Sequence, residues 1–117
     1  MSKLLDDLQA YGVDLAETMD RFVDDEELYV SCLEEFRTEP SFDHLRSALD
    51  NGDMEAAFDA AHTLKGVTGN LGFTPLFNAV CPMVETLRSG ANEGLEEKYN
   101  AIMAEKARVD AILEEIH

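Results

Sequence analysis

The chain has 117 residues, 45% of them hydrophobic and 8% aromatic, which is enough apolar surface for one core and too much for a disordered segment. Its 25 Asp and Glu against 9 Lys and Arg leave a formal charge of −16, so phosphate backbones and anionic lipid are repelled, and neither nucleic acid nor a membrane is an expected partner. No apolar run reaches the length of a membrane span and the N-terminus lacks the apolar core of a signal peptide, so a cytoplasmic location is expected.

Only 7 Gly and 3 Pro punctuate the chain, and between them apolar residues recur at spacings of three and four. That pattern predicts an all-α fold. A short amphipathic start on Leu4, Leu5 and Leu8 stops near Gly12, and Asp14 can cap a turn carrying Leu15, Met19 and Phe22. Asp24 or Asp25 opens a helix with Leu28, Tyr29, Cys32, Leu33 and Phe36 on one side, halted before Pro40. Ser41 is expected to cap the next piece, which buries Phe42, Leu45 and Leu49 and ends at Asn51-Gly52. Cys32 and Cys81 show no CxxC and no metal-ligand spacing, and are expected to be reduced, partly buried thiols.

Asp53 caps a helix whose apolar stripe is Ala57, Ala61, Leu64, Thr68 and Leu71. Gly72 stops it, and Thr74-Pro75 supplies an N-cap followed by proline at the first helical position. The turn between the two helices must be tight, which makes them antiparallel neighbours. The second buries Leu76, Val80, Met83, Val84 and Leu87 and ends at Gly90, with Pro82 predicting a kink near Asn78. After Asn92 a long helix carries Leu95, Tyr99, Ile102, Met103, Lys106, Val109, Leu113 and Ile116. The expected architecture is an antiparallel up-and-down four-helix bundle with short N-terminal accessory helices, one domain over residues 1–117.

His62 stands in the run His62-Thr63-Leu64-Lys65-Gly66-Val67-Thr68-Gly69-Asn70-Leu71-Gly72. From Ala60 to Val84 there is no carboxylate, and Lys65 is the sole formal charge. A helical wheel puts His62 about 140° from the centre of the apolar stripe, so it points outward. Phe58, Lys65, Gly66 and Gly69 fall beside it. Two mid-helix glycines are costly on a solvent face, and make sense if bulk must be kept away so that another protein's surface can reach the imidazole. On that ground, replacing Gly69 with a large residue is expected to block a partner and leave the fold nearly intact. Lys65 offers an ammonium where a phosphoryl group on His62 would project. Thr68 and Asn70 are further donors, Thr68 on the core side. An exposed imidazole is largely unprotonated at cellular pH and therefore nucleophilic. His44 and His117 lack such company and read as ordinary side chains; Phe58 can join an apolar docking patch.

The run resembles the histidine phosphotransfer (HPt) domain family, whose motif places lysine, glycine, a small residue and glycine at three, four, seven and ten after the histidine. Here these are Lys65, Gly66, Gly69 and Gly72, preceded by Ala60-Ala61 and followed by Phe73, with a Gly52-Asp53 turn before the helix. The resemblance, which extends loosely over the whole chain, implies a helical bundle working as a stand-alone phosphorelay carrier. His62 would accept a phosphoryl group from a receiver domain's aspartyl phosphate and pass it to another receiver. Lys65 would stabilise the phosphoryl group, while Phe58, Gly66, Gly69 and Phe73 would serve receiver docking and clearance. No cofactor is expected on this chain, since Mg²⁺ would come with the receiver. Response-regulator receivers, and a hybrid histidine kinase, are the expected partners of a monomer.

Kinase activity is disfavoured because there is no glycine-rich phosphate loop, and Thr63 follows His62 where a kinase-type acceptor helix resembles His-Glu or His-Asp. A metal-carboxylate bundle is a rival, since Asp59 and Glu114 each precede a histidine, His62 and His117, by three. Such ligands must face inward, whereas Asp59 and His62 fall on the polar side. A third reading is a helical interaction module that acts by docking alone.

Overall fold

The computed structural model describes residues 2–116. Those residues form seven helices and no strand. They are α1 (Lys3–Tyr11), α2 (Leu15–Arg21), α3 (Glu26–Phe36), α4 (Ser41–Asn51), α5 (Met54–Leu71), α6 (Thr74–Arg88) and α7 (Leu95–Leu113).

Three of the expected caps form. The carboxylates of Asp14, Asp25 and Asp53 accept from the amides of Glu17, Leu28 and Ala56 at 3.1, 3.0 and 3.1 Å. Two do not, because each helix begins one residue earlier than the capping pattern implies. Ser41 already lies inside α4 behind Pro40, and its own amide donates to the Glu39 carboxylate at 2.9 Å. Thr74 is the first residue of α6 behind Phe73, and its hydroxyl donates to the Gly72 carbonyl at 3.4 Å.

The α5 stripe is buried as its spacing requires: Ala57, Ala61, Leu64 and Thr68 are 0% exposed and Leu71 is 3%. That face packs against α4 and α6, α6 packs against α7, and α1 packs against α7. Thr68 is tolerated in the core because its hydroxyl donates to the Leu64 carbonyl at 2.8 Å. Leu76, Val80, Met83, Val84 and Leu87 are all buried on α6. The helix continues through Pro82, an exposed position, although the proline has no amide to donate to the Asn78 carbonyl. On α3, Tyr29, Leu33 and Phe36 are buried, but Leu28 is 45% exposed, so the apolar stripe is narrower than the sequence suggested.

Gly72 makes the close connection between α5 and α6 possible. Its φ of +82° is left-handed, and a Cβ there would collide with the Thr18 hydroxyl and meet Val13 Cγ1 at 3.2 Å. Helix α2 thus packs directly on the end of α5.

Candidate functional site

His62 is exposed, midway along α5. One turn before it, half-buried Phe58 stacks on the imidazole with ring centroids 5.6 Å apart and an interplanar angle of 18°. The Arg88 guanidinium lies 5.8 Å from the Phe58 ring centroid. A flat aromatic support limits where the imidazole can rotate while leaving its outer face open.

His62 borders an open depression of about 480 Å³, with Lys65, Gly66, Gly69 and Asn70 also from α5, Phe77 from α6 and Arg21 from α2. Lys65, Gly66 and Gly69 were legible as neighbours of His62 by helical spacing, whereas the wheel left the side of Asn70 open. Lys65 is electrostatically distinct. Of the nine Lys and Arg, it alone has neither a hydrogen bond nor an ion pair among the described residues; the others are engaged by carboxylates or backbone carbonyls. In a chain so acidic, an ammonium left free beside an exposed imidazole is available to an anion that arrives from outside.

The two glycines have different neighbours. At Gly66 a Cβ would meet nothing within 4 Å beyond its own stretch of helix backbone, so no packing contact in the described fold requires the glycine. At Gly69 a Cβ would meet Phe77 Cε1 and Cδ1 at 3.1 and 3.2 Å. Gly69 thus also has a neighbour within the fold, since a side chain there would press on the Phe77 ring of α6. The docking role expected of Phe73 is corrected. It is 0% exposed and lies edge-on to Phe36 at 5.0 Å, so it supports the core and offers no docking surface. Thr68 faces inward as expected, and Asn70 is exposed at the rim of the depression.

Arg21 and Phe77 were not anticipated. Arg21 Nε donates to the Asn70 carbonyl and Nη2 to the Gly69 carbonyl, both at 3.2 Å, while Nη1 pairs with Glu17 at 3.1 Å. The last turn of α5 has no basic residue of its own, although terminal carbonyls need donors and the helix dipole there is negative. That deficit could be read in the sequence; the distant residue that fills it could not. From α3, buried Tyr29 donates its hydroxyl to the Leu71 carbonyl at 2.9 Å. Burial pushes its phenol pKa well above the ordinary value.

Asp59 and His62 both lie on the exposed side of α5, and no group of three His, Cys, Asp or Glu among the described residues is arranged to hold a metal ion. His44 is exposed on α4, and His117 lies outside the described residues. None of the described helices is long and apolar enough to cross a membrane. A family model described as Hpt domain matches residues 3–117. No curated protein and no solved structure matches the chain.

Proposed function

The chain belongs to the Hpt domain family, whose members carry out histidine phosphotransfer in phosphorelay signalling, and on that premise we propose that it is a phosphorelay carrier with His62 as its phosphoacceptor. The observation that carries this reading is the pairing of an exposed, aromatic-backed imidazole with Lys65, the cation that has no partner among the described residues. In the proposed step a lone pair on one imidazole nitrogen forms a P–N bond as the P–O bond of a receiver's aspartyl phosphate breaks. The electron pair returns to that receiver's carboxylate, and the second imidazole nitrogen keeps its proton. The reverse step onto another receiver discharges the carrier.

Little machinery is needed on this side. In-line transfer asks for a nucleophile held at a fixed place with room around it, and charge stabilisation for the equatorial oxygens. Helix α5 supplies the fixed place, Gly66 the room and Lys65 the charge, while Phe58 gives a docking partner an apolar contact beside the imidazole. Mg²⁺ and the carboxylates that bind it would come with the receiver. The architecture fits this role as a four-helix antiparallel bundle of α4–α7 flanked by α1–α3. The two-residue connections Gly52-Asp53 and Gly72-Phe73 between packed neighbours support the antiparallel arrangement.

The test is incubation with a phosphorylated receiver domain and Mg²⁺. The expected product carries an acid-labile, alkali-stable label on His62, and His62→Gln carries none. Label that persists in His62→Gln, or no transfer from any receiver of the same cell, would sink the proposal.

A further inference from the structure

Two residues of the His62 depression come from outside α5, and one of them, Arg21, is anchored to the end of the histidine helix. Each of its three guanidinium nitrogens has an acceptor: the Asn70 carbonyl, the Gly69 carbonyl and the Glu17 carboxylate. These carbonyls belong to the turn that closes the depression, 49 and 48 residues away in the chain. Tyr29 holds the next carbonyl, that of Leu71. Three consecutive carbonyls at the end of the histidine helix are thus fixed by side chains from α2 and α3.

That turn needs outside support. It contains Gly69, a poor helix former, and it has no basic side chain of its own. Arg21, Gly69 and Phe77 also line a second groove on the far side, so together they form the ridge that ends the His62 depression. If the final turn loosens, the ridge changes shape although His62 and Lys65, one to two turns away, remain on intact helix.

Building on the phosphorelay reading, we infer that Arg21 is a positioning residue for that transfer face: by holding the Gly69 and Asn70 carbonyls it fixes the edge of the His62 depression in the shape a receiver domain must meet. It acts through the backbone, since each of its three nitrogens already donates to an acceptor within the fold. The consequence separates small donors from large ones. Phosphoramidate needs the imidazole and Lys65; a nitrogen of His62 forms a new P–N bond as the donor's P–N bond breaks and ammonia leaves with the electron pair. A receiver domain must also fit the ridge.

The experiment compares wild type, Arg21→Gln and Arg21→Lys with two donors, phosphoramidate and a receiver domain charged by acetyl phosphate and Mg²⁺ that labels wild-type His62. Arg21→Gln is expected to take phosphoryl from phosphoramidate within about twofold of wild type. From the receiver it should be slowed about tenfold at saturating concentration, as misplacement of a docking edge predicts. Arg21→Lys, able to reach one carbonyl, falls between, and amide exchange at Gly72 and Phe73, which bond to the Gly69 and Thr68 carbonyls, speeds up in Arg21→Gln. Unchanged receiver transfer in Arg21→Gln overturns the assignment, and so does an equal loss with both donors. A wild-type chain that no donor labels on His62 sinks the phosphorelay reading itself, and is recognised without any Arg21 variant.

Discussion

Gly66 and Gly69 lie one turn apart on the same face of α5, yet the space each leaves is used by different bodies. Nothing beyond its own stretch of helix backbone comes within 4 Å of a Cβ built at Gly66, whereas one at Gly69 presses on the Phe77 ring at 3.1 Å. On the proposed reading the N-terminal half of the depression gives clearance to a receiver domain, while the C-terminal half is shaped by the fold's own packing of α6 and α2 on α5. A residue type repeated at helical spacing can thus have two causes, and only the three-dimensional neighbours separate them.

The largest effect that would sharpen this contrast is expected from Gly66→Arg. A long side chain at the open position blocks approach to His62, and misplacing reacting groups by about 1 Å can cost about a hundredfold in rate. Receiver transfer should fall by at least about that factor, while the melting temperature holds or rises, since glycine is the worse helix former by up to about 1 kcal/mol. Stopped-flow or gel-based transfer together with a thermal melt checks both. Wild-type transfer, or an unfolded variant, would place Gly66 among the packing residues and erase the contrast.

Lys65→Ala tests whether the open half is also the charged half. Aimed electrostatics at a developing oxyanion are worth a hundredfold or more in enclosed sites, and a half-buried, solvent-facing ammonium should deliver about tenfold. An ion at such a surface adds only about 0–1 kcal/mol to folding. Slower labelling of His62 or a shorter phosphohistidine lifetime, at nearly constant melting temperature, is the expected pattern. Equal rates and equal lifetimes remove Lys65 from the site.

On the other side of the contrast, Tyr29→Phe leaves the buried Leu71 carbonyl without its side-chain donor. An unsatisfied buried acceptor costs about 1–3 kcal/mol, so the melting temperature should drop by several degrees. Transfer from phosphoramidate should persist in the folded fraction, because the imidazole and Lys65 are untouched. A melt identical to wild type would show that the carbonyl finds another donor.

Sequence made the open half legible and hid the other. The outward placement of His62, the inward placement of Leu64, Thr68 and Leu71, and the caps at Asp14, Asp25 and Asp53 follow from spacing and local chemistry, which act within one or two turns. Ser41 and Thr74 failed as caps because Pro40 and Phe73 occupy the positions just outside their helices, a one-residue matter that composition cannot decide. Phe73 looked like a docking residue because it follows the motif, but its ring is spent on Phe36. Arg21 and Phe77 were out of reach altogether. Each acts on α5 from another helix, and no period in the chain records which residue of α2 or α6 will land beside Gly69.

The smallest and most discriminating effect lies in two alanines. Gly66→Ala adds a methyl into open space and should gain most of the helix propensity, up to about 1 kcal/mol, or about 4 °C for a domain of this size. Gly69→Ala gains the same propensity but forces the Phe77 ring to move by a few tenths of an ångström. Overpacking typically costs about 1–3 kcal/mol in a dense core, and less here because Phe77 is only half buried and borders open grooves, so gain and cost should nearly cancel. Phe77→Leu removes the edge that the new methyl meets. In that background Gly69→Ala should recover its stabilising effect, giving a coupling of about 0.5–1 kcal/mol in a double-mutant cycle, whereas Gly66→Ala and Phe77→Leu should simply add. If Gly69→Ala stabilises the wild-type chain as much as Gly66→Ala does, Phe77 exerts no constraint, and both glycines return to a single cause, clearance for a partner.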